Sequence, residues 1–186
     1  MTKPIGGCLA AQWQEWESLG AECWVVIVLR DGYKIPFDRP PALSNTPIFF
    51  VSYPSGSEKG EALDAAVDKM LQKGALEPAS SDPGHYSLLF LVPKPTLDWR
   101  PVIDLSPLNK CIRQTPFKME TCASVLRAIR KDDWMLSLDL KDAYFQVPVH
   151  PESRRFLRVV SRGIAYQFRV ICFGLCTAPQ VFTRVM

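Results

Sequence analysis

Five prolines, Pro36, Pro40, Pro41, Pro47 and Pro54, fall between residues 31 and 57, and they constrain the fold of this chain more than any other feature. Each proline fixes φ and removes a backbone donor, so neither a helix interior nor a central strand can run through such a stretch. Few apolar residues recur there at a regular period, which predicts an irregular, extended arm or linker. The sequence is thereby divided into a lead-in with a proline-rich arm, residues 1–57, and a longer body, residues 58–186.

The body reads as alternating helices and strands. Between Glu58 and Lys73 the apolar positions Leu63, Ala66, Val67, Met70 and Leu71 recur at helical spacing, Ser55 and Glu58 resemble a capping box, and Gly74 is placed to end the helix. The segments "YSLLFLVPK" (86–94) and "RPVIDL" (100–105) flank a turn over Pro95–Trp99 and predict a hairpin. A second helix is expected over 119–130, with Met119, Cys122, Leu126 and Ile129 along one side, followed by a buried strand "WMLSLDL" at 134–140. Another hairpin is predicted where "RRFLRVV" and "IAYQFRVI" flank Ser161–Gly163, and Ala178–Met186 begins a helix. This mixture gives an α+β class.

With 186 residues, 47% of them hydrophobic and 22% charged, the chain has the make-up of one ordinary soluble domain, or of one domain with a small appendage. The apolar run "CWVVIVL" (23–29) is far shorter than the roughly 20 residues that cross a bilayer, and no basic segment precedes it as in a signal peptide. Secretion and membrane partners are therefore not expected. Six cysteines without CxxC spacing fit reduced thiols in an intracellular setting, cytoplasm or nucleus. Cys172 and Cys176 have only His85 and His150 to complete a zinc site, and a hydrolase triad has no visible basis. Charge is unevenly spread: residues 1–84 carry a net −4 and residues 85–186 a net +7, so the second half suits a polyanionic partner.

One stretch raises a chemical question. "SLDLKDAYFQVPVH" (137–150) sets Asp139 and Asp142 three apart at the end of the expected strand, followed by the adjacent aromatics Tyr144 and Phe145. Carboxylates at the end of a buried strand are costly to hold without a cation, so a metal, a basic partner or a helix-capping role are the readings open to them.

Three motifs then carry a resemblance. "WRPVIDLSPLNK" (99–110), "SLDLKDAYFQVPVHPESR" (137–154) and "CFGLCTAPQVFTRVM" (172–186) occur in the order and spacing of the fingers and palm of retroelement reverse transcriptases. "LDAAVDKMLQKGALEP" and "SLLFLVPK" resemble the helix and strand that open that domain, and "RDGYKIPF" (30–37) resembles the lead-in of DIRS-type, tyrosine-recombinase retrotransposons. The resemblance implies an α+β, right-hand-polymerase fold comprising fingers and a partial palm. The family's Tyr-x-Asp-Asp hairpin follows the helix that begins at Ala178, and no such motif occurs in these 186 residues. The second palm carboxylates, the thumb and any RNase H region are accordingly expected to be missing.

The same resemblance implies an RNA-directed DNA polymerase using RNA template, DNA primer, deoxynucleoside triphosphates and two Mg2+ ions. Asp139 matches the first metal-binding, catalytic carboxylate, and Leu140 the residue whose carbonyl meets a metal. Lys94 and Arg100 match the cations that clamp the phosphates, while Asp142 and Ala143 match the backbone that turns around the triphosphate. Tyr144 matches the aromatic that excludes a 2′-hydroxyl. Phe173 and Gly174 fall at the loop facing the nascent base pair, where retroviral enzymes carry glutamine. Without the second carboxylates the isolated chain is expected to be inactive. The alternatives are a retroelement-derived nucleic-acid-binding module or a remnant without catalysis. In the bland reading, Arg100 is a surface cation stacked on Trp99, and Phe145 is a core aromatic.

Overall fold

The computed structural model describes residues 5–47, 51–54, 56–95, 98–119, 121–137 and 139–186. After a 3-10 turn at Cys8–Gln12 come α1 (Trp13–Ser18) and α2 (Cys23–Asp31). The apolar run predicted to be too short for a bilayer is α2: it buries Val25, Val26, Val28 and Leu29. No helix among the described residues is long and apolar enough to cross a membrane.

Past Asp31, the last residue of α2, the proline-rich segment forms neither helix nor strand where it is described. Isolated bridges tie it down, Tyr33 to Val149, Phe37 to Ile112 and Ser44 to Gly84. Beyond it, α3 (Glu58–Gln72) buries Leu63, Val67 and Met70, one stripe at helical spacing. Its N-cap is Ser57, whose hydroxyl accepts from the Gly60 N–H; Ser55, expected to cap, lies outside the described residues. Gly74, at φ 68°, ends the helix as expected. The Gly74 N–H donates to Leu71 O at 2.9 Å and the Ala75 N–H to Met70 O at 2.9 Å, which satisfies two terminal carbonyls of α3.

A short β1 (Leu76–Pro78) follows, then β2 (Leu88–Pro93) and β3 (Trp99–Asp104), the expected hairpin. Its inward face supplies Leu89, Leu91 and Ile103 to the core. The one-turn α4 (Ser106–Asn109) is entered through Asp104, whose carboxylate accepts from the Ser106 N–H at 2.9 Å. Bonding from Ser106 holds the Asp104 carboxyl below its ordinary range.

Of two expectations in the middle of the chain, the helix is met over a shorter span and the strand is not met. The helix predicted over 119–130 is only α5 (Cys122–Ala128), capped by Thr121, and none of its residues is buried. No strand forms at 134–140 among the described residues, and Trp134, Met135 and Leu136 are exposed. Both expectations rested on apolar spacing, which identifies a face suited to burial but does not supply the surface that would cover it. A strand further needs a ladder partner, and none among the described residues pairs with 134–140.

The remaining elements are α6 (Pro151–Arg154), β4 (Arg158–Ser161), β5 (Ile164–Phe168) and α7 (Ala178–Val185). The β4–β5 hairpin forms where predicted, with Ser161 opposite Ile164. Its two-residue turn needs positive φ at both positions and has it, 53° at Arg162 and 71° at Gly163. β5 is central in an antiparallel sheet of order β1-β5-β4. Arg158 is wholly buried at the join to the fingers hairpin. Its guanidinium donates to Asp82 O, to Ser80 Oγ at 2.8 Å and to Gln167 Oε1 at 3.4 Å. One apolar core joins α2, α3, both sheets and α7.

Candidate nucleotide site

The three motif stretches meet in space. Asn109, at the end of α4, reaches across to the loop before α7: its Nδ2 donates to Gly174 O at 2.8 Å and its Oδ1 accepts from the Cys176 N–H at 3.0 Å. Gly174 has φ 94°, and a Cβ there would lie 3.1 Å from Ile103 O, so this loop rests directly on the end of β3. The ring of Phe173 lies 5.0 Å from that of Tyr144, and Phe182 of α7 lies 5.5 Å from Tyr144 on another side. Such offset and edge contacts are the favoured aromatic geometry. Phe145 turns inward and is buried, the core role open to it from sequence.

Tyr144 is carried by a 3-10 turn, Ala143–Gln146, entered through Asp142 at φ 52° and ψ 39°. The Asp142 carboxylate takes Lys73 Nζ at 2.8 and 2.7 Å. A basic partner is thus what the structure supplies to the second aspartate of the pair. Asp139 and Leu140 lie in exposed, irregular backbone before this turn rather than at the end of a buried strand. Among the described residues no three His, Cys, Asp or Glu side chains gather to hold a metal ion.

Lys94 and Arg100 share one face of the fingers hairpin. Val92 pairs with Arg100 across the ladder, and the Lys94 N–H bonds Asp98 O at 2.7 Å, which puts 92, 94, 98 and 100 on the same side. Lys94 Nζ meets Asp98 Oδ2 at 2.9 Å, and this bond holds the Asp98 carboxyl below its ordinary range. Arg100 is exposed. The cation over the Trp99 indole is Lys59, at 4.9 Å, while Trp99 Nε1 donates to Glu58 Oε1 at 3.0 Å. Trp99 therefore seats the hairpin on the start of α3.

Sequence reasoning assigned no role to Lys73, Asn109 or the Gly6–Gly7 pair. Asn109 lies inside a quoted motif, and its place before the chain leaves α4 was the available signal. Lys73 and the glycines carry no local signal, because their partners are 69 or more residues distant in the sequence or are backbone atoms.

Residues 92–186 match the family model described as reverse transcriptase (RNA-dependent DNA polymerase). The chain is 30% identical over 146 residues to a retrovirus-related Pol polyprotein from transposon 412 of Drosophila melanogaster, covering 75% of this chain and 12% of the relative. It is 30% identical over 182 residues to a Pol polyprotein of feline endogenous virus ECE1, covering 94% of this chain and 16% of the relative. Among solved structures, the native prototype foamy virus protease-reverse transcriptase superposes with a TM-score of 0.60 at 22% identity, over 93% of this chain and 24% of that one. A foamy viral protease-reverse transcriptase in complex with double-stranded DNA gives 0.61 at 18%, over 81% of this chain and 27% of that one. The chain thus spans under a fifth of these curated relatives and about a quarter of the solved structures. The matched model covers half the chain, with the fold of fingers and part of a palm, so this chain belongs to the reverse transcriptase (RNA-dependent DNA polymerase) family.

Proposed function

We propose that this reverse transcriptase domain fragment provides the fingers and nucleotide-facing palm of an RNA-directed DNA polymerase. Its partners in that reading are an RNA template, a DNA primer and deoxynucleoside triphosphates. The observation that carries the reading is the convergence of three separated motifs: Asn109 bonded to Gly174 and Cys176, with the Tyr144 ring tilted against Phe173. Tyr144 then limits the volume beside the sugar, and Phe173 with Gly174 faces the new base pair. Asp142 and Ala143 turn the backbone around the phosphates. Arg100 and Lys94 neutralise phosphate charge from the hairpin, and Lys94 must exchange Asp98 for the nucleotide to do so. Affiliation with DIRS-type elements rests on residues 30–37. Residues 1–57 act as lead-in and arm to the 58–186 body, and the six free cysteines suit an intracellular setting.

Divalent metal chemistry belongs to the family, and Mg2+ is the ion that hard oxygen ligands suit. The residues described here do not fit a two-ion site: Asp139 offers one exposed carboxylate, Leu140 one carbonyl, and Asp142 is engaged by Lys73. That donor set favours a second reading, nucleic-acid binding without polymerisation by this chain alone. Primer extension with Mg2+ or Mn2+, with Asp139→Asn as the blank, separates the two, since extension above the blank overturns the second. The binding common to both is tested with an RNA/DNA hybrid at several salt concentrations. Affinity should fall steeply with salt, because phosphate contacts release counterions; a flat response overturns the electrostatic reading.

A further inference from the structure

We propose that Lys73 is a positioning residue for the nucleotide pocket, neutralising Asp142 and pinning the turn that carries Ala143 and Tyr144. The inference rests on the reading of that pocket as the nucleotide site.

Three observations meet at Lys73. Its ammonium bonds both oxygens of Asp142, and the two side chains are only 31% and 17% exposed, so solvent screens this pair less than a more exposed one such as Lys34 with Glu152. Asp142 occupies the left-handed region, which a residue with a Cβ adopts at a cost and keeps only when its surroundings hold it. The backbone of Lys73 is itself fixed: the Gly6 N–H donates to Lys73 O at 2.7 Å, and the adjoining Gly7 N–H donates to Phe145 O at 2.8 Å. A Cβ on Gly6 would lie 2.3 Å from Gly74 O, so the lead-in passes too close to the end of α3 for any side chain there. Lead-in, helix end and turn form a single clasp beside Tyr144.

The charge follows from the same contact. A triphosphate held by this turn would face the Asp142 carboxylate, and an uncompensated carboxylate repels it. Lys73 removes that repulsion without touching the nucleotide. The role is therefore distinct from that of Lys94 and Arg100, which meet phosphate directly in the same reading.

Two measurements on the full chain test this. Amide exchange at the Phe145 N–H, bonded to Asp142 O at 2.9 Å, should speed up about tenfold in Lys73→Met and return to the parent rate in Lys73→Arg. Exchange unchanged in Lys73→Met overturns the positioning role. Binding of dTTP with Mg2+, read by calorimetry, should weaken about tenfold in Lys73→Met. It should recover in Lys73→Met combined with Asp142→Asn, although that double variant has no ion pair. A double variant as weak as the single one overturns the charge role, since a purely structural clasp predicts that result. If the parent chain does not bind dTTP, the nucleotide-site reading fails together with the charge role, and the exchange measurement decides positioning separately.

Discussion

Replacing Asn109 by alanine removes a side chain that ties the end of α4 to the loop before α7. The cost can be worked from its two bonds. The Cys176 N–H lies in a part-buried position, and leaving it without its acceptor at 3.0 Å costs about 1–2 kcal/mol. Gly174 O, bonded at 2.8 Å on the exposed side, can take a water instead, for a loss of about 0.5 kcal/mol. Asn109→Ala should therefore destabilise the chain by about 2 kcal/mol, or about 4–8 °C in Tm for a domain of this size. The effect should be local as well as global. Amide exchange should accelerate at Cys176 more than at Val181, whose N–H bonds Thr177 O inside the start of α7 at 2.9 Å. Urea unfolding gives the free energy and exchange gives the location. A shift below about 0.5 kcal/mol, or equal acceleration at both amides, would refute the view that Asn109 sets the position of Phe173 and Gly174.

Gly174→Ala should cost more than Gly163→Ala in unfolding free energy: both have positive φ, at about 1–2 kcal/mol each, but only the Gly174 Cβ meets a neighbour, Ile103 O at 3.1 Å. Equal costs would remove crowding from the argument. Burial pushes the Cys172 thiol from 9.0 up to about 12, so the folded chain favours the neutral thiol; the stability this contributes is fully present below pH 9 and is lost as pH rises through about 12. Native chain at pH 8 should accordingly modify at exposed Cys8, Cys23 and Cys122 while Cys172 stays unreacted, as read by mass spectrometry. Tyr144→Val, placed in a polymerase containing these residues, should raise ribonucleotide incorporation while deoxynucleotide incorporation remains measurable; unchanged discrimination would show that Tyr144 does not gate the sugar.

What could be read from sequence was whatever local chemistry determines. The stop of α3 at Gly74 and the β4–β5 turn at Arg162–Gly163 depend on neighbouring residues alone, and both form where expected. The fingers hairpin is also local. The clasp around Lys73 was not legible, because an ion pair across 69 residues leaves no periodic trace and a glycine chosen for close approach looks like any other glycine. Segment 134–140 was misread for the opposite reason. Its apolar pattern is strong, yet pattern states a requirement for cover, and side chains as exposed as Trp134, at 101%, show that the described fold does not provide it.

Asp139 and Asp142 meet different fates for a physical reason. Asp142 opens the 3-10 turn beside the end of α3, whose last carbonyls favour a cation. A lysine placed there serves the helix terminus and the carboxylate together, and the pair is partly shielded from water. Asp139 precedes this turn, on backbone with no ladder partner among the described residues, and is exposed to solvent. An exposed carboxylate gains little from any single cation, because water already solvates it and salt screens what remains. Only a strongly charged ligand held by several oxygens at once would draw Asp139 into a fixed geometry. Lys73 holds the turn that carries Ala143 and Tyr144, Asn109 holds the loop before α7, and the Asp139 carboxylate stays exposed beside them.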